Sequence, residues 1–239
     1  MKTADVIIPV YNERENLPSL LQRLHALPNA NQLNIIFVDN ASTDGSAEYL
    51  AALPDIVLIR HSSNLGYGAS LRSGMRAAKT ERWIILDADG EYPPECIPVL
   101  LQTLESRPVV YASRLLGKSS SVVGMPFLQR MGNVVISSAF SVLFQQQVSD
   151  LYTGCKALRR DCMTNMDLQR DGFEQVLELA VKLTQRGIDI TEISVDFSPR
   201  QRGASKMSHV AETAKYFFWL LRYRMSASKK LANKGGARE

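Results

Sequence analysis

Trp83-Ile84-Ile85-Leu86-Asp87-Ala88-Asp89-Gly90-Glu91-Tyr92-Pro93-Pro94-Glu95 passes from a bulky, unbroken apolar run straight into acid. Such a run, with no polar alternation, reads as a strand buried on both faces, as in a parallel sheet. Ligands of open α/β sheets gather outside the carboxyl ends of the strands. Asp87 and Asp89 stand at that end, with Gly90 and Glu91 following. Oxygen donors clustered there suit a hard cation, Mg²⁺ or Mn²⁺, completed by substrate phosphates. A strand ending in a plain polar turn uses the same residues, so Asp-Ala-Asp alone leaves both readings open.

The flanking chain repeats the pattern. Towards the N-terminus, strands are expected at Asp5–Val10, Leu33–Val38 and Ile56–Ile59. Helices are expected at Glu13–His25, after Ser42 or Thr43 as cap, and at Gly66–Lys79. Beyond the acidic stretch come a helix at Glu95–Glu105 and a strand at Val109–Ala112. Short connections and strict alternation imply a parallel sheet with helices on both faces. After Arg114 the rhythm breaks. Asp150–Arg159 reads as extended, Phe173–Gln185 as an amphipathic helix and Ile188–Val195 as a strand. Ser198–Lys206 is a polar loop, and a last helical stripe runs from Met207 to Met225.

Composition narrows the class. The 239 residues are 45% hydrophobic and 22% charged, ordinary for a globular protein, with a net charge of +4. Residues 222–239 hold six Lys or Arg against one Glu, and Leu115–Ser149 has no acidic residue. A basic end suits anionic lipid, phosphate or simple solvation. The tail has no interleaved aromatics beyond Tyr223, which argues against nucleic acid. Cys96, Cys155 and Cys162 match no zinc spacing and read as reduced thiols of a cytoplasmic protein. No signal peptide or spanning helix is expected. The runs Val134–Phe144 and Tyr216–Leu221 fall short of the ~18 residues a span needs.

Three further loops fall at strand ends. Pro9-Val10-Tyr11-Asn12-Glu13 offers Tyr11 to flank a base, while Glu13 could equally complement a helix dipole. Asp39-Asn40-Ala41-Ser42-Thr43-Asp44-Gly45 places Asp39 to accept hydrogen bonds from a base or ribose. Asn64-Leu65-Gly66-Tyr67-Gly68 is Gly-rich but fits neither a Rossmann fingerprint nor a Walker loop. Together with Asp87, Asp89 and Glu91, these loops would converge on one sheet edge.

These motifs resemble those of family 2 glycosyltransferases of the GT-A fold, above all the polyprenyl (dolichyl) phosphate sugar synthases. The likeness runs from about Asp5 to Met207. Ser113-Arg114, Asp150-Leu151-Tyr152-Thr153-Gly154-Cys155-Lys156-Ala157-Leu158-Arg159 and Ser198-Pro199-Arg200-Gln201-Arg202-Gly203-Ala204-Ser205-Lys206 also carry it. The resemblance implies an α/β GT-A nucleotide-diphospho-sugar transferase fold with a mainly parallel central sheet. Residues 1–206 would form the transferase domain, 115–147 within it an acceptor- or membrane-facing insertion, and 207–239 an amphipathic helix with a basic tail.

The resemblance also implies roles. Pro9, Tyr11, Glu13 and Asp39 would hold the nucleoside, and Asp87 and Ala88 would line the donor site. Asp89 and Glu91 would ligate Mg²⁺ or Mn²⁺; relatives often carry Gln at the Glu91 position. Arg114, Arg200 and Lys206 would meet phosphates, as befits a bidentate Arg and a point-charge Lys. Asp89, Arg114 and Lys206 would be the catalytic set. The expected reaction is inverting transfer of one sugar from a UDP- or GDP-sugar to a polyprenyl phosphate. The alternative acceptor is a soluble glycan or cell-surface polysaccharide. A lipid phosphate, with its second pKa near ~6, needs no general base. A sugar hydroxyl does, with Asp150 and Glu174 as candidates. The Gln-x-x-Arg-Trp signature of processive synthases is absent. The acid-free segment and the aromatic stripe Tyr216–Tyr223 suit a peripheral place on the inner face of a membrane. A core or dimer-interface role for both stripes, and the oligomeric state, stay open.

Overall fold

The computed structural model describes residues 1–116, 124–199 and 215–225. Among them, strands β1 (Ala4–Val10), β2 (Leu33–Asp39), β3 (Ile56–Arg60), β4 (Arg82–Leu86), β5 (Val109–Ser113), β6 (Cys155–Arg159) and β7 (Thr191–Ser194) form one sheet. Their order is β3-β2-β1-β4-β6-β5-β7. β1 pairs in parallel with β2 and β4, β2 with β3, and β5 with β7. β6 runs antiparallel to both β4 and β5.

The unbroken apolar strands are explained by two packed layers. Val6 and Ile8 of β1 face one core with α1 (Leu17–His25) and α4 (Ile97–Thr103). Ile7 faces the other, shared with Ile85, Tyr111 and residues of α3 (Tyr67–Ala77), α5 (Phe127–Phe144) and α6 (Glu174–Gln185). A helix at residues 215–225, α7, adds Tyr216 and Leu220 to that second core. The remaining helix, α2 (Ser46–Ala51), follows β2.

The structure corrects several expectations. The sheet is mainly parallel as expected, but β6, beyond the point where the alternation breaks, is reversed. The long connection from Arg114 lets the chain turn back and insert β6 between β4 and β5. Helices α1 and α4 start late. Each carries a Pro at its first or second position, where a missing N–H costs nothing. The cap foreseen at Ser42 or Thr43 does not form: α2 has Gly45 at its N-cap without a side-chain cap bond, and Asp44 just ahead of it accepts at Oδ1 from Ser46 N at 3.0 Å and Ser46 Oγ at 2.6 Å. The acid-free segment contains an 18-residue helix, α5, long and apolar enough to cross a membrane by length and composition, with 22% of it buried. It therefore exceeds the short run expected at Val134–Phe144. The last helical stripe is described only from 215 onward. Arg200, Arg202, Lys206 and the tail beyond 225 lie outside the described residues.

Candidate active site

A cavity of about 380 Å³ opens at the carboxyl ends of β1 and β4. Pro9, Tyr11, Glu13, Asp87, Ala88, Asp89, Glu91 and Arg114 all line it. Asp39 is 1% exposed and stands behind this wall; its neighbour Asn40 takes the lining position. Arg200 and Lys206 lie outside the described residues.

Side-chain hydrogen bonds hold the strand-end loops together. Asn12 N donates to Ser42 Oγ at 2.9 Å, Thr43 N to Asn12 Oδ1 at 2.7 Å, and Glu13 N to Ser46 Oγ at 3.1 Å. Asn40 Nδ2 donates to Asn64 Oδ1 at 2.8 Å, while Asn40 Oδ1 accepts from Leu65 N at 2.9 Å and pairs with His61 Nδ1. The Gly-rich turn serves packing. A Cβ at Gly66 would fall 2.3 Å from Asp171 O, and one at Gly68 2.3 Å from Arg170 O. Gly68 N and Ala69 N, at the start of α3, both donate to Asp171 O.

Arg114 is the described cation of the cavity wall, against Glu13, Asp87, Asp89 and Glu91. Its Nε and Nη2 grip Asp150 at 2.8 and 3.0 Å, its backbone N adds a bond of 2.9 Å, and Nη1 reaches Glu91 Oε2 at 3.1 Å. Its guanidinium also lies 4.9 Å from the Tyr92 ring centre. Burial pushes the Asp150 carboxyl up, but the Arg114 guanidinium and the hydrogen bonds outweigh it, and the net shift is downward. The resemblance implied a phosphate for Arg114; here three of its five guanidinium N–H donors go to Asp150 and Glu91.

Asp87 sits in a prepared seat. Tyr67 Oη donates to its Oδ1 at 2.8 Å, and its backbone N donates to Gly154 O at 3.0 Å. Burial and the charge of Asp89 push its pKa up to about 7, against the pull of Tyr67 and Lys156. Asp89 Oδ1 accepts from Glu91 N at 3.0 Å. Among the described residues, no three His, Cys, Asp or Glu side chains form a ready metal cage. A Mg²⁺ or Mn²⁺ ion bound by one or two carboxylates plus phosphates needs none, so the hard oxygens of Asp89 and Glu91 fit such an ion.

The inner wall is aromatic, which the sequence reading missed. Tyr67 stacks on Phe173 with centroids 5.1 Å apart, and Tyr152 meets Tyr216 edge-on at 4.5 Å. All four line the cavity. Tyr67 was quoted in the Gly-rich motif, but its partner lies more than 100 residues away, so no local pattern announces the pair.

The glycosyl transferase family 2 model matches residues 5–165. The chain belongs to that family. It is a glycosyltransferase with the GT-A fold. It is 30% identical over 215 residues to the polyprenol monophosphomannose synthase of Mycolicibacterium smegmatis, covering 85% of this chain and 80% of that one. Against the undecaprenyl-phosphate mannosyltransferase of Micrococcus luteus it is 29% identical over 213 residues, covering 84% and 86%. Against the dolichol-phosphate mannosyltransferase of Pyrococcus furiosus it is 27% identical over 207 residues, covering 84% of this chain but spanning 58% of the relative. Two solved structures share the fold at 18% identity. Glucosyl-3-phosphoglycerate synthase of Mycobacterium tuberculosis, in complex with Mn²⁺, UDP and phosphoglyceric acid, has a TM-score of 0.69 over 95% of this chain and 78% of that one. A mannosyltransferase of Pyrobaculum calidifontis, in complex with GDP-Man and Mn²⁺, has a TM-score of 0.57 over 96% and 75%.

Proposed function

We propose that this glycosyltransferase moves one sugar, with inversion and with Mg²⁺ or Mn²⁺, from a nucleotide-diphosphate sugar to a polyprenyl phosphate at the inner face of a membrane. One observation carries the reading: a single cavity joins four carboxylates at its strand-end wall to an aromatic inner wall. A diphosphate cannot enter so acidic a wall without a cation, and Asp89 with Glu91 would hold one. When bound, the ion offsets the charge growing on the departing nucleoside diphosphate. Arg114, fixed by Asp150, orients Glu91 towards it. Pro9, Tyr11 and Glu13 are placed for the nucleoside, with Asp39 supporting the loop behind them. Arg200 and Lys206 are proposed to close the phosphate site.

The surroundings of the two candidate bases, Asp150 and Glu174, support a phosphate acceptor. Asp150 is 0% exposed and ion-paired, and Glu174 accepts from Lys215 at 3.1 Å. Neither lines the cavity. A sugar hydroxyl would need such a base, whereas a phosphate monoester is already nucleophilic at neutral pH. The relatives' names point to mannose and to polyprenyl carriers, which supports mannosyl transfer.

The test supplies labelled GDP-mannose and undecaprenyl phosphate with Mn²⁺. Label is expected in a butanol-extractable, mild-acid-labile product. Label passing only into soluble product would overturn the lipid acceptor. Calorimetry against GDP and UDP, with and without Mn²⁺, identifies the base; binding that ignores Mn²⁺ would remove the metal from the reading.

A further inference from the structure

Lys156 is a lysine in the middle of a sheet. It is 0% exposed, its Nζ has no hydrogen-bond partner among the described residues, and it lies 5.0 Å from the Tyr111 ring centre. Lysine is almost never fully buried unless paired. A contact with an aromatic face offsets only part of the loss of water. Strand register shows which charge can answer it. Lys156 pairs with Ile85 across β4–β6, Cys155 with Leu86, and the bond from Asp87 N to Gly154 O carries the ladder one step further. Gly154 lies just before β6, and Asp87 stands two residues past Ile85, the cross-strand partner of Lys156, so the Asp87 and Lys156 side chains fall on one face. A Cβ at Gly154 would stand 2.0 Å from Asp87 Oδ2. The Asp87 carboxylate therefore occupies the space a side chain at 154 would fill, on the face from which Lys156 rises.

We propose that Lys156 is a positioning residue for sugar transfer, a buried cation on the same face of the sheet that helps seat the Asp87 carboxylate over Gly154. Two further observations agree. Burial lowers the Lys156 pKa to about 8, with Asp87 the foremost charge opposing that fall and Asp150 the next. Asp150 is already gripped by Arg114, whereas among the described residues the side-chain donor to Asp87 is the neutral Tyr67. The inference rests on the donor half of the proposed function and is indifferent to the acceptor.

A double-mutant cycle tests it on the full chain: Lys156→Met, Asp87→Asn and both together. The readouts are melting temperature without metal and calorimetric binding of GDP and UDP with Mn²⁺. Removing either charge strands the other, so each single variant is expected to melt lower than the double. Lys156→Met should weaken nucleotide binding, and in the Asp87→Asn background it should add nothing, a coupling of at least about fivefold. Additive effects, or a double variant less stable than both singles, would reduce Lys156 to packing and overturn the proposal. Should Lys156→Met fail to fold, folding of the double variant supports the proposal and its failure overturns it. A parallel cycle with Asp150→Asn is expected to be additive; coupling there in place of Asp87 would also overturn it. No readout involves the lipid, so a wrong acceptor leaves the result unchanged.

Discussion

Arg114 donates to Asp150 from its backbone N, Nε and Nη2, and to Glu91 from Nη1. Truncating it leaves a fully buried carboxylate uncompensated, because Asp150 is 0% exposed. Arg114→Met is therefore expected to cost about 3–5 kcal/mol in urea unfolding, the range for breaking a buried pair from one side. A loss within 1 kcal/mol would mean that Asp150 finds other partners. The same pair sets an acid limit. The Asp150 pKa is held below its ordinary 3.8 in the folded chain, so the pair's stabilisation is present above that value and drains away as pH falls through the folded pKa. Melting temperatures across pH 3–7 should fall at the acid end, and Asp150→Asn should flatten that part of the curve while lowering the neutral plateau. Sequence reading found Arg114 as a cation at a strand end. Its partner lies 36 positions on, inside another motif, and only the fold shows that the two motifs meet.

The strands of the first half were legible because both faces of each are buried, which writes β1, β2 and β4 as apolar runs. The direction of β6 was not, since a reversed strand flanked by two others carries the same apolar signal. That reversal matters for the site: it brings Gly154 against Asp87. Gly154→Ala is expected to displace the Asp87 carboxylate and cut turnover about 100-fold, the scale of a misplacement near 1 Å. Steady-state kinetics with normal far-UV circular dichroism would check it. Unchanged turnover would mean that Asp87 can sit elsewhere. A second glycine marks the opposite end of the same logic. A Cβ at Gly74 of α3 would meet Ile7 Cγ2 at 2.3 Å. Gly74→Ala should push α3 off β1 and cost about 1–3 kcal/mol by overpacking. Because Gly74 itself does not line the cavity, nucleotide affinity of the folded fraction should fall less than it does in Gly154→Ala.

At the scale of the whole molecule, two helices leave apolar side chains in water on purpose or at a cost. α5 exposes Phe127 at 75%, Leu128 at 55% and Val142 at 78%, and α7 exposes Phe218 at 58% and Met225 at 62%. Arg130, Arg222 and Arg224 are exposed on the same two helices, and α5 carries no acidic residue. Apolar side chains interleaved with arginine suit the headgroup boundary of an anionic membrane, where each basic residue adds about 1 kcal/mol. They suit a cytosolic surface poorly, since each buried large side chain forgoes about 1.5–3 kcal/mol when left in water. Membrane binding would also bring the aromatic wall of the cavity near the proposed lipid acceptor, which ties this surface to the proposed reaction. The chain is therefore expected to co-sediment with vesicles containing anionic lipid, and less so in high salt. Phe127→Glu with Leu128→Glu, and separately Phe217→Glu with Phe218→Glu, should each weaken that binding by roughly tenfold or more, from the apolar burial lost. Nucleotide binding in solution should be unaltered in both, because none of the four residues lines the cavity. If both variants bind vesicles like the parent while its self-association is abolished, the apolar faces join copies of the chain to each other, and the membrane part of the proposal falls.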